Sequence, residues 1–145
     1  MFTRSQEHAD ASGPKTYSLT IGEHGIDLSQ KNLGPADVAL VAAWLQRPEV
    51  SAAVTSINCL ANNFGDDDLA TLLTAIEGTS VRSLCGLTEG QTTADFSKQN
   101  LKLIDIKIIA AEFGFQGFIA AVTSLNCENN LAMVGELEIF GYYLK

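Results

Sequence analysis

The chain has 145 residues, of which 46% are hydrophobic, and its formal net charge is −8 at pH 7. This composition excludes general disorder and suits one domain with a real hydrophobic core. The acidic surface repels phosphate backbones, so nucleic acid is not expected as a partner. No apolar run reaches the roughly 18 residues of a membrane-spanning helix, so no membrane span is expected.

The chain begins with a segment, residues 1–16, that mixes charged residues with Ser, Gly and Pro. It contains no apolar stretch of the kind that a secretory signal requires. The composition therefore predicts a flexible N-terminal tail, followed by a folded domain over residues 17–131.

Short strands and amphipathic helices are predicted to follow one another along this domain. Alternating apolar residues predict strands around Ile26, Ile57, Ala94 and Leu125. Periodicity near 3.6 residues predicts helices over residues 35–46, 66–76 and 103 to about 113. The run Asp66-Asp67-Asp68 lies where acidic side chains cap a helix N-terminus, and it lacks the spacing of a metal-binding loop.

An internal repeat organises these elements. The segment Ala52–Cys59, AAVTSINC, returns as Ala120–Cys127, AAVTSLNC, and Asp27-Leu28-Ser29 returns as Asp95-Phe96-Ser97. All these matches share one offset of about 68 residues. A repeated unit cannot bury its apolar face alone, so the pattern predicts an α/β solenoid with a short parallel sheet on the concave face and helices on the convex face.

Three segments carry a family resemblance: Ser83-Leu84-Cys85-Gly86-Leu87, Ala94-Asp95-Phe96-Ser97 and Val122-Thr123-Ser124-Leu125-Asn126. They resemble the leucine-rich repeats of the ribonuclease-inhibitor-like subfamily, in the style common in protist proteins. The resemblance covers roughly residues 17 to 131. It implies a leucine-rich-repeat solenoid that recognises protein partners, and it is nearly silent on which partner.

Polar residues between the core positions of the predicted strands form a candidate binding surface. Alternation along a strand turns their side chains away from the core. We predict that this surface binds a protein partner; a merely solvated polar face is the alternative. No catalytic residue, cofactor, metal or small-molecule ligand is expected. The predicted partner-binding residues are Asp27, Ser29, Ser56, Asn58, Asp95, Ser97, Ser124, Asn126 and Glu128.

The three cysteines, Cys59, Cys85 and Cys127, predict a cytoplasmic or other reducing compartment, because an odd number with two at equivalent repeat positions does not fit a disulfide framework. Cys59 and Cys127 are expected to be buried. If Leu84 is a core residue, alternation turns Cys85 outward as a possible redox or catalytic thiol; a shifted register is the alternative.

The last segment, residues 132–145, is apolar and aromatic and matches no repeat. It is predicted to cap the domain or, alternatively, to dock this protein as an accessory subunit of a larger complex. The residues expected to carry that role are Ile139, Phe140, Tyr142 and Tyr143.

Overall fold

A computed structural model describes residues 2–6 and 15–130, with side chains described from residue 17 to residue 130. Its strands are short and its helices are separated by loops. In chain order the elements are β1 (Phe2–Gln6), β2 (Lys15–Leu19), β3 (Gly25–Asp27), α1 (Pro35–Leu45), α2 (Pro48–Ser51), β4 (Ser56–Asn58), α3 (Asp66–Ile76), β5 (Thr93–Asp95), α4 (Leu103–Gly114), a 3-10 helix (Phe118–Ala121) and β6 (Ser124–Asn126).

The three long helices lie where the periodicity predicts them, and each begins with the same device. The third residue of the helix is an aspartate whose carboxylate accepts the backbone N–H just before the helix. The distances are 3.0 Å from Gly34 N to Asp37, 2.9 Å from Gly65 N to Asp68 and 2.9 Å from Lys102 N to Asp105. Each bond satisfies an orphan donor at the positive end of the helix dipole.

One continuous core joins the helices to the strands. Trp44 of α1, Leu72 of α3 and Ile108 of α4 are almost completely buried, and so is Ile57 of β4. The side chains that alternate with Ile57 belong to the opposite face of the strand, as the period of two requires. The core therefore fixes which side chains of β4 point toward it.

The predicted leucine-rich-repeat solenoid is wrong, although the α/β content is present. The parallel strands of the described residues form two separate two-stranded sheets, β3 with β4 and β5 with β6, and no sheet runs through both. Between them, the segment around Ser83–Cys85 makes one parallel bridge and one antiparallel bridge to β4. Gly86 then turns the chain with a φ of +82°, so that segment does not continue as a strand.

Two parts of the predicted flexible tail are strands. Residues 2–6 form β1, which pairs antiparallel with β2, and Phe2 lies opposite Leu19. Tyr17 and Leu19 of β2 are both buried and join this strand pair to the core. Among the described residues, no helix has both the length and the apolar character to cross a membrane.

Candidate functional site

Two in-register pairs of polar residues mark the ends of the parallel strand pairs. Asp27 of β3 lies opposite Asn58 of β4, and Asp95 of β5 lies opposite Asn126 of β6. Both aspartates and Asn126 are exposed, and Asn58 is half-buried. The sequence repeat thus brings the same two chemical groups together twice.

Both aspartates are held in the same conformation. Asp27 Oδ1 accepts hydrogen bonds from the Ser29 backbone N–H at 2.9 Å and from the Ser29 hydroxyl at 2.6 Å. Asp95 Oδ1 accepts the equivalent two bonds from Ser97 at the same distances. These bonds from Ser97 lower the pKa of the Asp95 carboxyl, so its charge is kept at neutral pH.

Asn58 and Asn126 each make an equivalent local hydrogen bond. Asn58 Oδ1 accepts the backbone N–H of Leu60 at 3.1 Å, and Asn126 Oδ1 accepts that of Glu128 at 3.0 Å. Each bond fixes the side-chain oxygen against the chain two residues on, which is a local Asx-type contact. The amide nitrogen is thereby oriented as well, because O and N of the amide are fixed to each other.

Below the strands, Asn62 and Asn130 hold the two repeat units, residues 24–62 and 92–130, in the same conformation. Each Oδ1 accepts two backbone N–H groups of the loop after the first strand, and each Nδ2 donates to two carbonyl oxygens within 3.1 Å and to a third at 3.4 or 3.5 Å. The partners within 3.1 Å are Lys31, Leu33, Leu28 and Cys59 for Asn62, and Gln99, Leu101, Phe96 and Cys127 for Asn130.

The backbone repeats its unusual conformations as well. Three non-glycine residues of the first unit have a φ near +60°, and so do their counterparts at the same offset in the second unit. Such residues are uncommon outside Asn, Asp and Gly, so their repetition shows that the loops keep one shape despite different side chains. The pairs are Gln30 with Lys98, Asn32 with Asn100, and Ala61 with Asn129.

Ser56 does not belong to the exposed surface, which corrects its predicted role in partner binding. It is buried to 7% exposure, whereas its counterpart Ser124 is exposed. The cause is the bridge from Ser56 to Ser83, which lays another segment along this edge of β4. Of the remaining predicted residues, Glu128 is exposed, and Ser29 and Ser97 are half-buried. We call the set Asp27, Asn58, Asp95, Ser124, Asn126 and Glu128 the strand face.

Cys85 is buried, so the predicted outward thiol is wrong: Ser83, Leu84 and Cys85 are all buried in succession, and the alternation that the prediction assumed does not hold in this segment. Leu84 is fully buried and Cys85 is only 3% exposed. The Cys85 thiol lies 3.1 Å from Glu112 Oε1, and burial, together with that carboxylate, raises the pKa of the thiol well above its ordinary value. A thiol in this state is a poor nucleophile.

Glu112 is a buried carboxylate with several hydrogen bonds that the sequence does not reveal. It is completely buried, and its Oε1 accepts the Ser83 hydroxyl at 2.9 Å and the Leu84 backbone N–H at 2.8 Å. Its Oε2 accepts the backbone N–H of Ile119 at 3.0 Å. The carboxylate thus ties α4 to the segment beside β4. In the sequence, Glu112 has the position of an ordinary polar residue of an amphipathic helix. No sequence pattern distinguishes it from a glutamate on the surface.

Asp105 joins the two repeat units. Besides capping α4, its Oδ1 accepts the backbone N–H of Ala61 from the first unit at 2.8 Å. Burial raises the pKa of the Asp105 carboxyl, against the opposing effect of these hydrogen bonds. Its counterpart Asp37 instead accepts the hydroxyl of Tyr17 at 2.6 Å, so the N-terminal side of the first unit is closed by an aromatic side chain.

The other predicted groups are placed as follows. The cysteines Cys59 and Cys127 are buried free thiols, as predicted. Among residues 2–6 and 15–130 no group of His, Cys, Asp and Glu is arranged to hold a metal ion. The proposed capping or docking residues Ile139, Phe140, Tyr142 and Tyr143, like all of 132–145, lie outside the described residues.

Comparison with known proteins gives no relative whose function could be assigned to this chain. No protein-family model matches the chain, and a search of curated proteins gives no match either.

Proposed function

We propose that this protein is a non-catalytic recognition protein that binds another protein through the strand face. The observation that carries the proposal is the twofold occurrence of one group, an aspartate in register with an asparagine: Asp27 with Asn58, and Asp95 with Asn126. A merely solvated surface has no need to hold these groups in the same conformation twice.

The chemistry of the strand face indicates what the partner offers. Asp27, Asp95 and Glu128 are exposed carboxylates, and the chain as a whole has 17 acidic and 9 basic residues. Carboxylates accept hydrogen bonds from Lys, Arg and backbone N–H groups, and the charge-assisted bonds are the strong ones. We therefore infer that the partner presents basic side chains to the strand face, and that association is faster at low salt.

The fixed geometry of the carboxylates favours binding. Ser29 and Ser97 each hold one aspartate oxygen, so those side chains lose less conformational entropy when a partner arrives. A catalytic role for the Cys85 thiol is not favoured, because that thiol is buried.

The proposal is tested by quantitative co-purification of the tagged full chain with its partners. Asn126→Arg places a bulky cation on the strand face and is expected to remove a partner that the wild-type chain retains. Ala43→Arg is the matched control, because Ala43 is exposed on α1 and the same charge is added there. Circular dichroism must be unchanged for both variants.

The outcome is read as a difference between the two arginine variants. A partner lost with Asn126→Arg and kept with Ala43→Arg supports the strand face. A partner kept by both variants, or lost equally from both, overturns the proposal. Asp95→Asn provides a finer readout, since it keeps the oxygen that accepts from Ser97 and removes only the charge.

A further inference from the structure

The outer edge of β4 is covered by another segment of the same chain. The backbone N–H groups of Ile57 and Cys59 donate to the carbonyl oxygens of Ser83 and Leu84 at 2.9 and 3.0 Å. In the other direction, Arg82 N donates to the Thr55 carbonyl at 2.8 Å and Gly86 N donates to the Ile57 carbonyl at 3.1 Å. Arg82–Gly86 therefore acts as an added strand-like segment.

The equivalent edge of β6 makes none of these bonds within the described residues. By the repeat offset, the counterparts of the bonded groups are the N–H groups of Leu125 and Cys127 and the carbonyl oxygens of Thr123 and Leu125. The other side of β6 is fully used by β5, as shown by Phe96 N donating to the Asn126 carbonyl at 2.6 Å. The backbone groups of β6 that make no bond to another described segment therefore all lie on the edge away from β5.

Side-chain exposure follows the same difference. Every residue of β6 is more exposed than its counterpart in β4. Ile57 is completely buried, whereas Leu125 is half-buried; Asn58 is half-buried, whereas Asn126 is exposed. Over β4, the apolar side chain of Leu84 in the covering segment is fully buried. A strand without such a covering segment is more exposed, as β6 is. Within residues 2–6 and 15–130, nothing supplies the edge of β6 with the hydrogen bonds and apolar cover that Arg82–Gly86 gives to β4.

We propose that the open edge of β6 binds an extended segment of a partner protein by strand addition, and that this segment combines a basic residue with a large apolar residue. Strand addition is an established mode of peptide recognition in which the backbone supplies the hydrogen bonds. The chemistry of the occupant follows from two observations. Arg82–Gly86, which covers β4, has this composition, and the exposed groups beside β6 include the carboxylates of Asp95 and Glu128.

The segment over β4 adds a steric requirement. A Cβ at Gly86 would lie 3.0 Å from the Asn58 Cβ, and the φ of this glycine is +82°. The counterpart of Asn58 is Asn126, so a matching occupant carries a glycine two residues after its large apolar residue. This site overlaps the strand face at Asp95, Asn126 and Glu128, but it goes beyond that proposal because the backbone N–H and carbonyl groups of β6 define it.

The experiment is amide hydrogen exchange, followed by NMR, on the full chain with and without a probe peptide. The probe is the chain's own sequence from Ser80 to Thr88 with Cys85→Ser. Without the probe, the amides of Leu125 and Cys127 are expected to exchange at least tenfold faster than those of Ile57 and Cys59 (about 1.4 kcal/mol or more in protection). Millimolar probe is expected to slow the two β6 amides and to leave the two β4 amides unchanged.

Two control pairs sharpen the test. A probe with Leu84→Asp keeps the backbone and is expected to protect nothing. In the protein, Leu125→Pro removes one donor from the open edge, where proline is tolerated, and is expected to weaken the probe at least about fivefold, while Leu125→Ile keeps the donor and binds. If Leu125→Pro does not fold, the exchange data on the wild-type chain decide.

Two results overturn the inference. Leu125 and Cys127 amides that are as protected as Ile57 and Cys59 before any probe is added mean that the protein's own chain already covers the edge. Fast β6 amides that no concentration of the probe slows mean that the edge does not accept such a segment. Neither result affects the strand-face proposal, which depends on Asn126→Arg and not on the backbone of β6.

Discussion

Asn62 and Asn130 occupy equivalent positions in the two repeat units and make the same four kinds of hydrogen bond, but Asn62 is 2% exposed whereas Asn130 is half-buried. The difference in burial arises from what lies beyond each unit. The second unit packs against the first through Asp105 and Ala61, whereas no described segment packs in the same way against the second unit.

The two asparagines are therefore predicted to differ in their contribution to stability. Asn62→Ala leaves buried N–H and carbonyl groups without partners, and its free energy of unfolding is expected to fall by about 2–4 kcal/mol. Asn130→Ala is expected to cost about 1–2 kcal/mol, because water reaches the groups it leaves. Urea unfolding by circular dichroism measures both. Asn63→Ala, at an exposed position, is the control and is expected to change stability by less than about 0.5 kcal/mol.

That prediction fails if the order is reversed. Equal losses for Asn62→Ala and Asn130→Ala would also contradict it, since they would mean that the second unit is as well covered as the first.

Glu112 is predicted to keep Cys85 inaccessible. Glu112→Ala removes the acceptor of three hydrogen bonds from the segment 83–85 and one from Ile119, and it leaves a cavity. We expect a destabilisation of at least about 3 kcal/mol and faster labelling of Cys85 by a thiol reagent at neutral pH. Mass spectrometry of the labelled protein identifies the reacting cysteine.

Glu112→Gln is the matched variant, since it keeps one oxygen acceptor but turns an amide donor toward either Ser83 or Ile119. Its effect is expected to be intermediate. If Cys85 labels at the wild-type rate in Glu112→Ala, the carboxylate does not hold the segment.

Burial of the Cys59 thiol predicts a loss of stability in alkali. Burial, with the nearby carboxylates Glu112 and Asp105, raises the pKa of Cys59 from 9.0 to about 12. Above pH 9 the unfolded chain releases this proton before the folded chain does, so the unfolded state binds fewer protons and stability falls as pH rises toward 12. The slope is expected to approach about 1.4 kcal/mol per pH unit for this group.

The measurement is the difference in unfolding free energy between the wild-type chain and Cys59→Ala at several pH values from 8 to 11. The difference cancels the titration of Lys and Tyr. The wild-type protein is expected to lose its advantage over the variant as pH rises; a difference that stays constant across this range would show that Cys59 is not held as a neutral thiol.

Asp105 gives a prediction of the same sign in acid, where a raised folded pKa again makes stability increase as pH falls. Its folded pKa is raised by burial, so the folded state takes up this proton at higher pH than the unfolded state does. Its contribution to stability therefore increases as pH falls through the folded pKa toward 3.8. Relative to Asp105→Asn, the wild-type chain is expected to gain stability on acidification from neutral pH, as measured by thermal unfolding. A wild-type chain that loses stability relative to the variant would contradict the buried position of this carboxylate.

Sequence reasoning located the helices well and the sheet poorly, for physical reasons. Apolar periodicity and an aspartate at the third position define α1, α3 and α4 locally, so these could be predicted. The extent of a sheet depends on contacts between distant segments. The turn at Gly86 and the short link to β5 separate the two parallel pairs. The short gap between Leu84 and Ala94 indicates a loop there, but it does not show which segments pair on either side.

The candidate site could likewise be predicted only in part from the sequence. The repeat itself revealed Asp27, Asn58, Asp95 and Asn126, because their spacing on strands fixes the side to which they point. The burial of Ser56 and Cys85 could not be predicted. Ser56 is buried by the segment beside β4, and Cys85 belongs to that segment, which Glu112 holds in place. A buried glutamate on an amphipathic helix has no sequence signature.

Site-specific photo-crosslinking tests the central claim most directly. A photoreactive amino acid is placed, one at a time, at Asp27, Asn126 and Ala43 of the full chain, and the crosslinked proteins are identified by mass spectrometry. We predict that positions 27 and 126 crosslink to the same protein and that position 43, on the exposed side of α1, does not. Crosslinks from position 43 alone, or none from positions 27 and 126, would show that the strand face does not meet a partner.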